Sequence, residues 1–213
     1  MQPGQQSSAR SDEAQAAVSV ESYFQEIAQL ISRLPYGAIE GIVATLRQAS
    51  EEGRRIFVFG NGGSAATASH FVCDLAKGTI HGDRRLKVMA LNDNVPLLTA
   101  WANDFGYEHV FSGQLKNFIQ AGDVAVAISG SGRSRNIVEG LKAARAAGAI
   151  TVGIAGFDGG EMPALCDVCA IVPSENYQLI EDMHHAIAHC VFSVLREQLR
   201  RTKNQTAAAG AGT

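Results

Sequence analysis

The sequence predicts a doubly wound α/β layer: a five-stranded parallel sheet with helices on both faces, preceded by an N-terminal helical hairpin. Three observations carry this. Five short apolar runs recur from residue 55 onward. Helical patterns separate them, and apolar strands alternating with helices belong to a parallel sheet covered on both sides. Gly/Ser-rich turns follow the first and third runs. In an open sheet of order 2-1-3-4-5, those two turns meet where the strand order reverses, and ligands bind there.

The hairpin comes first. From Val18 to Leu34, Phe24, Ile27, Ile31 and Leu34 recur at helical spacings, and beyond Pro35-Tyr-Gly37 the residues Ile39, Ile42, Val43 and Leu46 do the same. Such a hairpin covers a sheet face or forms a subunit interface. The strands follow at Arg55–Phe59, Leu86–Leu91, Val124–Ser129, Ile150–Ala155 and Val168–Val172. Helices are expected at about 64–77, 95–106 with 108–120, 134–147 and 176–201. Residues 17–201 then form one domain. Residues 1–16 are rich in Gln, Ser and Ala without an apolar signal-peptide core, so they read as a disordered tail, as do residues 202–213.

Composition narrows the function. Of 213 residues, 46% are hydrophobic and 18% charged, which suits a substantial core. A formal charge of −3 supplies no basic face for nucleic acid. No apolar run reaches membrane-spanning length, so a cytoplasmic protein without membrane partners is expected. Cys166-x-x-Cys169 suggests redox chemistry or zinc, but no second such pair follows. Buried cytosolic thiols are the expectation.

The first Gly-rich turn is the centre of the sequence. Ile56 to Phe59 read as a buried strand, Gly60-Asn-Gly-Gly63 turns the chain, and Ser64 opens a helix. Backbone amides at a helix N-terminus attract an anion, and absent side chains let a phosphate approach. Gly60-x-Gly62-x-x-Ala65 also fits a loose dinucleotide fingerprint. That motif requires an acid about 20 residues on, after the next strand. Asp93 comes 33 residues after Gly60 and Asp83 precedes that strand, and no GxxxxGK[ST] is present. Phosphate binding without a dinucleotide is the reading. The second loop, Ser129-Gly-Ser131-Gly-Arg-Ser134, again sets hydroxyls between glycines. Ser134 also suits a plain helix N-cap. Arg133 and Arg135 suit either a phosphate or solvent.

Gly60-Asn-Gly-Gly-Ser64, Asn103-Asp-Phe-Gly106, Ser129-Gly-Ser-Gly-Arg-Ser134 and Asp158-Gly-Gly-Glu161 occur in that order. Together they resemble the sugar isomerase (SIS) domain, in its phosphoheptose isomerase branch, over about residues 20 to 199. The resemblance implies a five-stranded parallel sheet of flavodoxin-like order and a homotetramer with active sites between subunits. It implies interconversion of D-sedoheptulose 7-phosphate and D-glycero-D-manno-heptose 7-phosphate, with Zn²⁺ or another divalent metal. It puts Asn61, Gly62, Gly63, Ser64, Asn103, Asp104, Ser129, Gly130, Ser131, Ser134 and Glu181 at the sugar phosphate. It makes His70, Asp74, Glu181 and His189 the metal set, and Asp74 and His189 the catalytic pair. The chain departs from the family in three places: Gly130 replaces a common threonine, Asp74 a glutamate and Glu181 a glutamine.

The residues support this chemistry from below. His70 and Asp74 are four apart on a helix and share a face, and an imidazole with a carboxylate can grip a divalent ion there. Alone, the pair equally suits a surface hydrogen bond. Three histidines, His184, His185 and His189, fall within six residues of a mostly apolar helix. His185 and His189 are four apart and form another candidate clamp, although His184 and His185 also suit structural or surface roles. Glu181 and His189 stand about 12 Å apart along an ideal helix, so a shared ion requires an irregular helix start or a second subunit. Aldose–ketose isomerisation requires a base at the carbons, an acid at the oxygens and a stabiliser of the enediolate. A different class of function stays open: one SIS branch binds the bacterial replication initiator DnaA and lacks the full metal set, and other members are sugar-phosphate sensors or isomerases of other substrates.

Overall fold

The computed structural model describes residues 19–80 and 85–210. The tail expected at 1–16 lies outside them. Five strands form one parallel sheet: β1 (Arg55–Gly60), β2 (Lys87–Ala90), β3 (Val124–Ser129), β4 (Ile150–Ala155) and β5 (Val168–Ile171). Their order is β2-β1-β3-β4-β5, as the sequence predicts. The helices are α1 (Val20–Ile31), α2 (Tyr36–Glu51), α3 (Gly62–Gly78), α4 (Val95–Phe105), α5 (Ser112–Phe118), α6 (Arg135–Ala146), α7 (Met162–Leu165) and α8 (Tyr177–Gly210), with a 3₁₀ turn at Tyr107–His109. Among the described residues no helix is long and apolar enough to cross a membrane.

The strand residues alternate between two cores. Ile56, Val58, Val124, Val126, Ile128, Val152 and Ile154 face one side, with buried residues of α2, α3 and α8. Phe57, Phe59, Ala125 and Ala127 face the other, with Phe111, Ile137 and Leu141. Small residues on the second face let α6 come close: a Cβ on Gly140 would lie 2.9 Å from the Phe59 ring. Each buried Leu, Ile or Phe contributes about 1.5–3 kcal/mol. The first face therefore fixes α3 and α8 side by side, and the site is built on that pair.

Several boundaries differ from expectation for local reasons. Ser19 and Ser22 form a capping box that starts α1 two residues after Val18. The helix after β1 begins at Gly62, not Ser64, because Asn61 takes the extended N-cap conformation. The stretch expected as one helix at 108–120 is a 3₁₀ turn followed by α5. The β4–β5 crossover contains α7, a single turn too short for any periodicity to announce. α8 continues past residue 201 to Gly210. The cysteines are all free; Cys73 and Cys190 are exposed, and Cys166 and Cys169 are only partly covered. The expectation of buried thiols is thus corrected: residues 73 and 190 fall on outward faces of α3 and α8. Cys166 and Cys169 both crowd Gly153, whose missing Cβ would lie 2.8 Å from each sulfur.

Candidate active site

On α3, Phe71 and Leu75 are buried. His70 and Asp74 each precede one of them and so share a neighbouring outward face. On α8, Ile187, Ala188 and Val191 are buried, which turns His185 and His189 toward α3. His70 Nε2 and His189 Nε2 stand 3.2 Å apart. Asp74 Oδ2 lies 3.5 Å from the first and 3.6 Å from the second. Donor atoms on one tetrahedral zinc ion are about 3.3 Å apart, given bonds of about 2.0–2.1 Å. The triangle thus has the edges of a coordination sphere, and its donors fit a divalent metal.

His185 belongs to the same cluster. One ligand atom from each of His70, His185 and His189 lies within 4.8 Å of the others. The His185 ring meets His70 and His189 edge to face, with centroids 4.6 and 4.4 Å apart. Burial first, then the neighbouring histidines, holds the His185 pKa below its ordinary value. His184 points the other way. It is fully buried in the core, and burial pushes its pKa down to about 4. The Ala155 carbonyl, which accepts from Val172 N–H at 2.8 Å, lies near enough to His184 to oppose that shift, but neither ring nitrogen reaches a partner in hydrogen-bond geometry.

The two Gly/Ser loops lie at the ends of β1 and β3. Ala65 N–H is the first to find a helical acceptor, Asn61 O at 3.2 Å. The amides of Gly62, Gly63 and Ser64 are left at the open end of α3, where helix polarity favours an anion. In the second loop, Ser129 Oγ accepts from Gly132 N–H at 3.1 Å and Ser131 Oγ from Arg133 N–H at 3.3 Å. Ser134 is the N-cap residue of α6, as its position suggested, but its side chain makes no capping hydrogen bond. Arg133 is committed to Asp158 through two 2.7 Å hydrogen bonds, which hold the Asp158 carboxyl well below the usual carboxylate range. A cavity of about 910 Å³ opens beside this loop, lined by Ser131, Arg133, Phe157, Ser174 and Tyr177. None of the clustered histidines lines it.

The comparisons with known proteins agree with this layout. The SIS domain family matches residues 22–156. The chain belongs to the SIS-domain family. It is 35% identical over 181 residues to a "Probable phosphoheptose isomerase" of Thermoplasma acidophilum, covering 85% of this chain and all of that relative. It is 36% identical over 179 residues to the phosphoheptose isomerase of Aneurinibacillus thermoaerophilus, covering 84% and 86%. Among solved structures, the phosphoheptose isomerase of Neisseria gonorrhoeae superposes with TM-score 0.78 at 30% identity, covering 84% of this chain and 97% of that one.

Within this SIS domain the expected site residues fall into four groups. His70, Asp74 and His189 come together. Asn61, Gly62, Gly63, Ser64, Ser129, Gly130, Ser131 and Ser134 form the two loops. Asn103 Nδ2 donates to Asp104 Oδ1 at 2.8 Å on the exposed side of α4. Glu181, expected among the metal ligands, stands apart from the histidines. The reason is the regular helix: α8 is already formed at Tyr177, so Glu181 lies two turns from His189. Its carboxylate rests instead on Gly63, whose absent Cβ would fall 2.5 Å from Glu181 Oε2. Gly130 also has a structural reason, since a Cβ there would lie 2.8 Å from the Tyr177 ring. Threonine at that position would collide with Tyr177. The four-residue spacing of His185 and His189 marked them as a candidate clamp, but the metal set implied by the resemblance left His185 out.

Proposed function

We propose that the protein is an aldose–ketose isomerase that interconverts D-sedoheptulose 7-phosphate and D-glycero-D-manno-heptose 7-phosphate. The observation that carries this is the arrangement along α8. Glu181 touches the first phosphate loop at Gly63, and His189 meets His70 and Asp74 about 12 Å further along. A phosphate held at the Gly62–Ser64 amides and the serines of the second loop would lay an open-chain sugar toward that cluster. Asp74 then takes a proton from the carbon next to the carbonyl and returns it to the neighbouring carbon. His189 moves the proton between the two oxygens. A divalent ion such as zinc, held by His70, Asp74 and His189, would supply positive charge to the enediolate oxygens. Glu181, free of the cluster, is placed to accept hydrogen bonds from the sugar hydroxyls. Asn103 and Asp104 belong to the substrate surface in this reading.

The proposed assembly is a homotetramer in the cytoplasm. The hairpin supports it: Val20 is 79% exposed and Phe24 63% exposed on α1, a surface suited to another subunit.

The test is an isomerase assay on five-, six- and seven-carbon sugar phosphates, with and without zinc, in H₂O and D₂O. Turnover of the seven-carbon substrate is expected, with deuterium entering C2 of the aldose or C1 of the ketose. No turnover of any sugar phosphate by the intact protein would overturn it.

A further inference from the structure

We infer that His185, and not Glu181, is the fourth protein ligand of the divalent ion at His70, Asp74 and His189. The inference rests on the isomerase reading only for the reaction the ion serves; the ligand set itself is read from the side chains.

His185 stands one turn before His189 on the same face of α8. Its ligand atom lies within 4.8 Å of those of both His70 and His189, and its ring contacts both rings. His70 Nε2 and His189 Nε2 are themselves 3.2 Å apart, with Asp74 Oδ2 at 3.5 and 3.6 Å from them, so His185 adds a third imidazole to the same cluster. Glu181 stands one turn earlier still, with its carboxylate against Gly63 at the opening of α3. Drawing it to the histidines of its own chain would require breaking a regular helix.

The consequence is chemical. With His185 in the set, His70 and His185 would hold the ion independently of Asp74 and His189, the two residues that move protons. Asp74 can then act as base without releasing the ion, and Glu181 stays available to substrate hydroxyls.

The experiment measures metal binding, apart from activity. The full chain is stripped with a chelator. It is then titrated with Zn²⁺ against a chromophoric competitor, and with Co²⁺ while its visible absorption is followed. The wild type should bind one ion per chain, with the intense absorption of tetrahedral Co²⁺. His185→Ala should weaken Zn²⁺ by about 100-fold or more and lower the Co²⁺ absorption. Glu181→Ala should leave both within about threefold. Far-UV circular dichroism and the thermal midpoint confirm folding, and His185→Gln replaces His185→Ala if the latter does not fold. The inference is overturned if Glu181→Ala strips the ion while His185→Ala and His185→Gln bind as the wild type does. It is equally overturned if the wild type binds neither metal. Metal binding in the predicted pattern without turnover of any sugar phosphate would strike the isomerase reading alone.

Discussion

The side-chain amides of Asn61 and Asn136 exchange two hydrogen bonds: Asn61 Nδ2 donates to Asn136 Oδ1 at 2.9 Å, and Asn136 Nδ2 donates to Asn61 Oδ1 at 2.8 Å. Asn61 is the N-cap residue of α3 and Asn136 lies in the first turn of α6, so the pair ties the two Gly/Ser loops together. Tyr107 adds a third bond, its hydroxyl donating to Asn61 Oδ1 at 3.1 Å. Asn136 is only 2% exposed, so Asn136→Ala leaves the Asn61 amide short of partners, at about 1–3 kcal/mol. Steady-state kinetics should show KM for the sugar phosphate rising roughly tenfold, with kcat less affected. An unchanged KM would mean the amide pair does not hold the loops.

Gly63→Ala should separate stability from binding. Alanine favours a helix over glycine by about 0.8–1.0 kcal/mol, and the atoms it meets are the mobile tip of Glu181. The thermal midpoint should therefore hold or rise while Glu181 is displaced and KM increases. A variant with wild-type KM would show that the Glu181 carboxylate has no part in binding the sugar.

The serine hydroxyls should matter to the phosphate and little to the fold. Ser64 is only 5% exposed yet sits at the open amide end of α3. Ser64→Ala and Ser131→Ala should each weaken substrate binding by about 1.5–3 kcal/mol, the size of a hydrogen bond to a charged group. Isothermal titration with a non-turned-over sugar phosphate measures this directly. Equal affinity in both single variants and in the double variant would contradict the assignment.

Asp74→Asn and His189→Ala should each lower kcat by about 10²–10⁴, with KM changing less. Asp74 is one methylene shorter than the family's glutamate, and a base misplaced by about 1 Å costs on the order of 10²-fold. Asp74→Glu therefore decides whether the α3–α8 spacing here is set for the shorter side chain. Faster turnover in Asp74→Glu would show that it is not, and full activity in Asp74→Asn would remove Asp74 as the base.

The exposed α1 surface predicts assembly. Light scattering at micromolar concentration should give four times the 22.5 kDa chain mass. Replacing Phe24 by Glu should shift the distribution to smaller species. A monomeric wild type would remove the tetramer from the account.

The sheet was legible in the sequence because each strand is a continuous apolar run, and Gly60 and Ser129 mark where two of them end. Side-chain spacing paired His70 with Asp74 and His185 with His189, because four-residue pairs on a helix share a face, and the family resemblance joined His189 to the first pair. Three features were not legible. The direction of Glu181 depends on Gly63, a contact between residues far apart in the chain. Asn136 pairs with Asn61 across 75 positions, and no local pattern records that. α7 is one turn long, shorter than the period by which helices are detected.

The contact of Glu181 with Gly63 divides the molecule's labour unusually cleanly. In the proposed reading, backbone amides and small hydroxyls on loops make the grip, whereas bulky titratable side chains on two helices make the tool. A combinatorial library at His70, Asp74, His185 and His189 would then leave the grip untouched, so every member would still present a phosphorylated molecule to whatever chemistry the helices had acquired. The scaffold is in that sense a tethering device with an exchangeable head.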